Sequence, residues 1–222
     1  MPTPVKDEKL RKEILQKLPA DVLRSQIDNE NIVQKFREVA APVLELYGRD
    51  KIYDVIVFDN KTPVMFSDTG VVLVVSTGLI ERAVSDDEIL GYIAHEIGHE
   101  YYASYSIYTK HLLKLADDRG REPFLIRKYA EALSLVELQC DGFATLTLTH
   151  LGYNSLAFIE GFERTGREFP THRVGFHPSD LVRRKLVTAI TPKASFTPKP
   201  KISSQLKELK DLITSTADLK AQ

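Results

Sequence analysis

Apolar residues recur at helical spacing near the start of the chain. They repeat every three or four positions through residues 7–18 and again through residues 22–47. Pro19 separates the two segments, Pro42 kinks or ends the second, and Gly48 is a typical helix stop. The pattern predicts an N-terminal helical segment.

Two short runs rich in β-branched residues follow this segment. They cover residues 53–58 (YDVIVF) and 71–75 (VVLVV), and turn-forming residues at 59–63 and 68–70 bound them. We expect two strands, paired in one small sheet.

A capping pattern marks the start of the next helix. Ser85 and Glu88 form an S-x-x-E capping box, with two further acidic residues between them. Apolar and aromatic residues continue to Leu115, and a turn is expected at residues 117–120. A second long helical pattern then covers residues 124–148. These two segments predict a helical hairpin.

The rest of the chain alternates helical and irregular segments. A short helix is expected at residues 154–162, an irregular stretch up to Pro178, and another helix at residues 179–189. From residue 192 onward, prolines interrupt an excess of lysines, and only residues 206–213 favour a helix. This composition is typical of a flexible or loosely docked tail.

Taken together, the elements predict an α+β fold that is mainly helical. We expect an N-terminal helical segment (residues 1–47) packed on a core (residues 48–191), followed by the tail (residues 192–222).

Composition narrows the class of protein. The chain has 222 residues, of which 43% are hydrophobic and 27% charged, which is typical of a soluble globular protein. The chain has 30 basic and 31 acidic residues, so the sequence lacks the surplus of basic residues that is typical of a nucleic-acid-binding protein. We find neither a secretory signal nor a 20-residue apolar span, and we expect a cytoplasmic protein without an integral membrane segment. The lone Cys140 excludes an intramolecular disulfide.

The residues that carry chemistry lie in the helix that begins near Ser85. Residues 95–99 read HEIGH, and on a helix residues four apart point the same way, so His95 and His99 share one face. That geometry suits two zinc ligands, with Glu96 beside them to take a proton from water. The alternative is two histidines on a polar helix face, one of them satisfied by a neighbouring carboxylate.

The hairpin register proposes further residues for this site. If the two long helices are antiparallel, residues equidistant from the turn lie side by side. The midpoint of His99 and Glu137 is residue 118, inside the expected turn, and His95 likewise faces Asp141. Glu137 then completes a His2Glu zinc site, and Asp141 accepts the free ring N–H of His95. Taken singly, each carboxylate is equally compatible with an exposed helix charge.

Three motifs appear in a recognisable order. Residues 74–99 (VVSTGLIERAVSDDEILGYIAHEIGH) contain an (S/T)TG segment, an acidic helix start and HExxH; residues 137–141 match ExxAD except for Cys140; and a His177-Pro178 pair precedes Arg183 by six residues. This combination resembles gluzincin zinc metallopeptidases of the HtpX and CAAX-prenyl-endopeptidase family, over about residues 50–190. The transmembrane helices of the membrane-bound members are missing, and the N-terminal 47 residues and the tail lie outside the resemblance.

The resemblance implies a zinc-dependent endopeptidase with one zinc ion per chain and a peptide or unfolded protein as substrate. It makes Glu96 the general base and His177 the best candidate for a donor to the oxyanion, while a capping or loop histidine is the alternative. Arg183 orients His177, pairs with Asp141 or lies at the surface. Cys140 is best explained as a small buried thiol in the position of the family's alanine, and the alternative is a thiol that approaches the metal.

The resemblance also implies a strand for substrate binding. It places Val71, Val72, Leu73, Val74 and Val75 as an edge strand beside the active-site helix, where backbone pairing holds an extended peptide. The alternative is an ordinary buried strand. The tail is a candidate inhibitor through steric blocking or through an acidic residue, for which the candidates are Glu208, Asp211 and Asp218.

Two other functions compete with a protease. One is a catalytically silent zinc-binding interaction protein of the same fold. The other is a helical module that binds an acidic partner through the basic tail. In that case binding weakens as the salt concentration rises and is not changed by a chelator. The remaining histidines have no ligand spacing and are expected to be structural or exposed: His111, His150 and His172.

Overall fold

The computed structural model of the protein describes residues 8–68, 70–169, 177–191 and 202–220, without the side chains of residues 104–106 and 217–220. Within this part of the chain the helices are α1 (Glu8–Gln16), α2 (Ala20–Ser25), α3 (Glu30–Leu46), α4 (Thr77–Arg82), α5 (Asp86–Tyr101), α6 (Ala103–Asp118), α7 (Pro123–Leu151), α8 (Ala157–Glu168), α9 (Asp180–Ile190) and α10 (Ser204–Lys220). The strands are β1 (Asp54–Phe58), β2 (Met65–Asp68) and β3 (Val72–Ser76). A mainly helical chain with one small sheet confirms the α+β prediction.

The sheet contains the two predicted strands and one that was not predicted. Its order is β1-β3-β2, with β1 parallel and β2 antiparallel to β3. The expected pairing of β1 with β3 is therefore confirmed. All five residues of β3 are buried, as expected for an apolar run in the middle of a sheet with both faces covered.

Helices cover both faces of the sheet. On one face α3 and α5 build the main core, in which Phe36, Leu73 and Ile93 are fully buried. On the other face α1 and α2 place Ile14 and Val22 against the strands. Because α3 lies inside the main core, the N-terminal segment and the predicted core share one set of packing contacts.

The predicted hairpin is present, but its first arm is divided. The helix expected to run to Leu115 is split at Tyr102 into α5 and α6, and neither glycine nor proline marks that position. The second arm, α7, packs along both α5 and α6. It begins with Pro123 and ends at Gly152, whose left-handed φ of 78° favours glycine.

The C-terminal segment differs from the prediction. Leu206, Leu209 and Ile213 of α10 are buried against the main core, and Glu208 pairs with Lys35 of α3 at 2.7 Å. The expectation of a flexible or loosely docked tail is therefore wrong for α10, because its apolar side chains pack against α3. The lysine- and proline-rich stretch at 192–201 lies outside the described residues. The hypothesis of an acidic partner bound by the basic tail therefore stays a prediction.

Candidate metal centre

Helix α5 presents the two histidines because its start is fixed and one face is buried. Ser85 accepts a hydrogen bond from the Glu88 backbone N–H at 3.3 Å, as the capping box predicts. The Glu88 carboxylate does not return to Ser85 but accepts the N–H of Val84. Isoleucines on one side of α5 enter the core, which leaves His95 and His99 on the side that faces the cleft.

Three candidate ligands meet where α5 packs on α7. One potential ligand atom from each of His95, His99 and Glu137 lies within 4.8 Å of the other two, and we call these three side chains the ligand group. The Nε2 atoms of His95 and His99 are 3.4 Å and 3.6 Å from the two carboxylate oxygens of Glu137. The hairpin register therefore brings together the three residues that the sequence predicts to be ligands.

Asp141 lies behind the ligands, one helical turn after Glu137. It is fully buried and accepts a hydrogen bond from His95 Nδ1 at 3.0 Å, which leaves His95 Nε2 facing Glu137. Arg183 donates to both oxygens of Asp141, at 2.7 Å and 2.5 Å. Of the alternatives for Arg183, the structure selects the pair with Asp141.

The protonation of the ligand group follows from burial and from these contacts. Burial alone lowers the pKa of His95, but hydrogen bonds to Asp141 and Glu137 outweigh it and raise the pKa to about 9. Burial and the charge of His95 lower the pKa of His99 to about 4. Burial opposes ionisation of Glu137, yet hydrogen bonds to His177 and His95 hold its pKa well below the usual range. The metal-free group is therefore a protonated His95 beside an ionised Glu137.

Glu96 lies beside the ligands and is held by β2. Its carboxylate accepts the backbone N–H of Ser67 at 3.0 Å, and the Ser67 hydroxyl donates to the Glu96 carbonyl oxygen at 3.1 Å. Burial raises the pKa of Glu96 to about 7. Ser67 was not predicted from the sequence, although the apolar run of β3 indicated a middle strand with a partner on each edge.

His177 and Cys140 lie next to the ligand group. His177 Nδ1 is 3.0 Å from a carboxylate oxygen of Glu137, and its ring is half exposed. Cys140 is fully buried against Gly98, where an added Cβ would lie 3.1 Å from the Cys140 Cα. The thiol thus fills the contact between α5 and α7, which agrees with the expected small buried side chain.

An open cleft of about 660 Å³ leads to the ligand group. Phe162 of α8 contributes a wall, and its ring contacts the His95 ring (5.9 Å between centroids) and the Arg183 guanidinium (3.9 Å). Phe162 could not be predicted from the sequence, because its position in the cleft depends on how α8 packs. Among the described residues of α10, none lines the cleft, so the structure does not support blocking by that helix.

The prediction of a substrate-binding edge strand is wrong for Val71, Val72, Leu73, Val74 and Val75. The residues from Val72 onward form β3, the middle strand, whose two edges are paired with β1 and β2. The outermost strand on the side of the cleft is β2. Of the remaining histidines, His111 and His150 are exposed and lie outside the ligand group, and His172 lies outside the described residues.

The donor set fits a divalent metal ion. Two imidazole nitrogens and one carboxylate oxygen form a common three-ligand set, and the group opens onto the cleft. The buried Asp141 behind His95 is the kind of partner that fixes a metal-binding imidazole.

Among the helices that the structure describes, none is long and apolar enough to cross a membrane.

Comparison with known proteins agrees with this chemistry. No curated protein matches the chain in sequence. Residues 26–117, from just before α3 to the last turn of α6, match the family model described as Peptidase family M48. The match starts before residue 47, so the expected N-terminal limit of the resemblance is wrong. It supports a metallopeptidase of family M48, a family that is generally metal-dependent.

Proposed function

We propose that this protein is a zinc metalloendopeptidase that hydrolyses internal bonds of peptides or unfolded proteins. The observation that carries the proposal is the convergence of His95, His99 and Glu137 within 4.8 Å, next to Glu96 and open to the cleft. The family match supports the general class of reaction.

His95, His99 and Glu137 hold the zinc ion, and Asp141 with Arg183 keeps the His95 ring in the ligating tautomer. Zinc bound there supplies Lewis-acid chemistry, since it acidifies water and polarises a carbonyl group.

Glu96 is the proton carrier of the proposed reaction. Its carboxylate accepts a proton from the attacking water and delivers it to the leaving amine. Two contacts with Ser67 hold Glu96 in place beside the ligands. Burial raises the pKa of this carboxyl to about 7 in the metal-free protein, which favours its role as a proton acceptor.

His177 is the proposed donor to the oxyanion that forms at the substrate carbonyl. Its ring stands at the edge of the ligand group, half exposed to the cleft, and its contact with Glu137 orients it. Donors of this kind are worth about 3–4 kcal/mol of transition-state stabilisation elsewhere.

The outer edge of β2 is the proposed binding surface for the substrate backbone. This strand lines the cleft through Met65, Phe66 and Ser67. Because the Ser67 N–H already donates to Glu96, the part of the edge before Ser67 is the part proposed to pair with the substrate. An extended peptide that pairs with a strand edge gains backbone hydrogen bonds whatever its side chains are.

The test compares wild-type protein with Glu96→Gln on an unfolded protein substrate, with zinc content measured in both. We expect Glu96→Gln to keep its zinc and to lose activity by about 10²- to 10⁴-fold, because the proton carrier is gone. Glu131→Gln, an exposed change on α7, is the matched control and should stay active. Equal activity of Glu96→Gln and wild type would contradict the mechanism, and zinc without activity in wild type would favour a silent zinc-binding protein.

The ligand assignment has its own test. Elemental analysis of purified His99→Ala should show loss of zinc, whereas the exposed His150→Ala should keep the wild-type zinc content. Full zinc content in His99→Ala would remove this histidine from the ligand set.

A further inference from the structure

Two chemically different sets of side chains line the cleft. One set surrounds the ligand group and carries most of the ionisable groups, from Glu96 to Arg183. The other set, which we call the apolar pocket, consists of Met65, Leu79, Tyr92, Phe162, Thr165 and Phe169. Phe162 connects the two sets, because its ring contacts both His95 and Tyr92, at 5.9 Å and 4.8 Å between centroids. A substrate side chain bound against Phe162 would therefore lie next to the candidate metal ligand His95.

One wall of the apolar pocket is fixed to the start of α4. The Val64 backbone N–H donates to the Ser76 hydroxyl at 2.8 Å, and that hydroxyl donates to the Thr62 carbonyl oxygen at 2.8 Å. At Gly78 the Lys61 carbonyl oxygen lies so close to the helix that an added Cβ would meet it at 2.2 Å. The segment before β2 therefore holds a set position against α4.

Arg82 joins this wall to the opposite one on α8. Its guanidinium donates to the Lys61 carbonyl oxygen at 2.9 Å and to Glu168 at 2.8 Å and 2.9 Å. The same group lies 4.8 Å from the centre of the Phe169 ring. One side chain of α4 thus contacts the segment before β2 and the end of α8, which together set the width of the pocket.

The charges near the apolar pocket are paired away from it. Arg82, which lies on the Phe169 ring, forms an ion pair with Glu168 at 2.8 Å. Behind Tyr92, the buried Glu88 carboxylate is bound by Arg164 and by the Tyr92 hydroxyl. A charged substrate side chain would lose its hydration in the pocket without gaining an ionic partner, whereas an apolar one gains by leaving water.

We propose that the apolar pocket binds a large apolar or aromatic side chain of the substrate next to the scissile bond, and that Arg82 sets its width. This inference rests on the proposed peptidase function, and it adds a side-chain preference to backbone pairing on β2. In an apolar pocket, one missing methylene lowers kcat/KM by about 10- to 200-fold, so the preference should be large.

The probes are otherwise identical ten-residue peptides with Phe, Leu, Ala or Lys at one central position. Zinc-loaded wild type is assayed for hydrolysis, and the cut is located by mass spectrometry. The zinc-loaded Glu96→Gln protein is assayed for binding of the same peptides by fluorescence anisotropy, so that the pocket is measured without catalysis. We expect Phe and Leu to exceed Ala and Lys by at least about tenfold in kcat/KM and to bind more tightly.

Two variants change the pocket and one controls for the mutation itself. Thr165→Phe fills the pocket, and it should shift the preference from Phe towards Ala. Arg82→Gln removes the contacts that join Lys61 to Glu168, and it should reduce the difference in kcat/KM between the Phe and Leu peptides. Thr214→Phe places the same bulk on the exposed face of α10 and should leave the preference unchanged.

The outcomes separate the pocket from the peptidase. Hydrolysis by wild type with no preference for Phe or Leu, or with a preference that Thr165→Phe leaves intact, overturns the pocket while the peptidase stands. A second outcome is that wild type hydrolyses none of the peptides, while Glu96→Gln still binds the Phe peptide most tightly and loses this preference when Thr165→Phe is added. This outcome supports the pocket and overturns the peptidase. Equal binding of all four peptides, together with no hydrolysis, overturns both.

Discussion

At the scale of single residues, Asp141 connects the ligand group to the rest of the fold. It receives the Nδ1 hydrogen of His95 and two hydrogen bonds from Arg183, and the Arg183 guanidinium lies on the Phe162 ring. All three polar contacts are buried, where an unpaired charge is costly. The orientation of His95 therefore depends on residues from α7, α8 and α9.

Asp141→Asn should weaken metal binding and the fold together. The change leaves the buried Arg183 without its counter-charge, and we expect a loss of about 3–5 kcal/mol in the free energy of unfolding. Zinc affinity, measured by competition with a chelator, should fall by about 10- to 100-fold because His95 loses its partner. Asp117→Asn, which removes an exposed ion pair with Arg121, is the control and should change neither quantity measurably. Unchanged zinc affinity in Asp141→Asn would exclude a role for Asp141 in holding His95.

Zinc binding should depend on pH above neutrality. In the metal-free protein the pKa of His95 is raised to about 9, so the proton must leave before the ring can bind a metal. The apparent affinity should therefore rise with pH from 7 to 9, by about tenfold per unit for one released proton, and level off above 9. His99, whose pKa is lowered to about 4, contributes no proton in this range. Affinities that level off near pH 7, as for an unperturbed histidine, would contradict this account; titration calorimetry at four pH values decides it.

At the scale of elements, glycines allow α5 to lie close to its neighbours. At Gly91 an added Cβ would lie 2.4 Å from the Phe158 Cβ on α8, and at Gly98 it would lie 3.1 Å from the Cys140 Cα on α7. These contacts fix the distance between α5 and the two helices that supply Phe162 and Glu137. The ligand geometry therefore depends on close helix packing as well as on the ligands.

Gly91→Ala and Gly142→Ala should have opposite effects, although both replace a glycine inside a helix. The first forces α5 away from Phe158, and we expect a loss of about 1–3 kcal/mol in the free energy of unfolding. The second adds a Cβ whose nearest neighbour is 3.8 Å away, so the gain in helix propensity should stabilise the protein by about 0.5–1 kcal/mol. Urea denaturation measures both changes in the free energy of unfolding. Equal effects would show that the close approach of α5 to α8 at Gly91 does not contribute to stability.

At the scale of the whole molecule, the C-terminal helix completes the core. α10 buries three apolar side chains against α3, and Lys210 donates to the carbonyl oxygens of Glu81 and Ala83 at the end of α4. The Ser203 backbone N–H is bound by Asp86 at the start of α5. The last helix of the chain is thus fixed to α3, α4 and α5, away from the cleft.

Leu209→Ala should destabilise the whole protein. The side chain is fully buried, and such a truncation costs about 2–5 kcal/mol in the free energy of unfolding. Leu146→Ala, on a side chain that is 61% exposed, is the matched control and should change the free energy by less than about 0.5 kcal/mol. We expect a single unfolding transition in both variants by circular dichroism in urea. If Leu209→Ala costs no more than the control, α10 does not belong to the cooperative unit.

The sequence by itself determined the mainly helical fold class and the three candidate ligands that meet in the structure. His95 and His99 share a face because of their i, i+4 spacing, which is a property of one helix. Glu137 and Asp141 lie opposite them because each pair is equidistant from the turn, which is a property of one hairpin. Such local rules gave Glu137 and Asp141 their places opposite the histidines, and the division of the first arm at Tyr102 did not disturb that register.

Only the tertiary structure decided the strand order, the docking of α10 and the shape of the cleft. Periodicity identifies an apolar strand or helix face but not the surface that covers it, so it could not show that β2 rather than Val71–Val75 forms the outer edge. The contacts of Ser67 with Glu96, of Arg82 with Glu168 and of Phe162 with Arg183 join residues 21 or more positions apart. Such contacts depend on how whole elements pack, because each partner taken alone is compatible with an ordinary surface or core position.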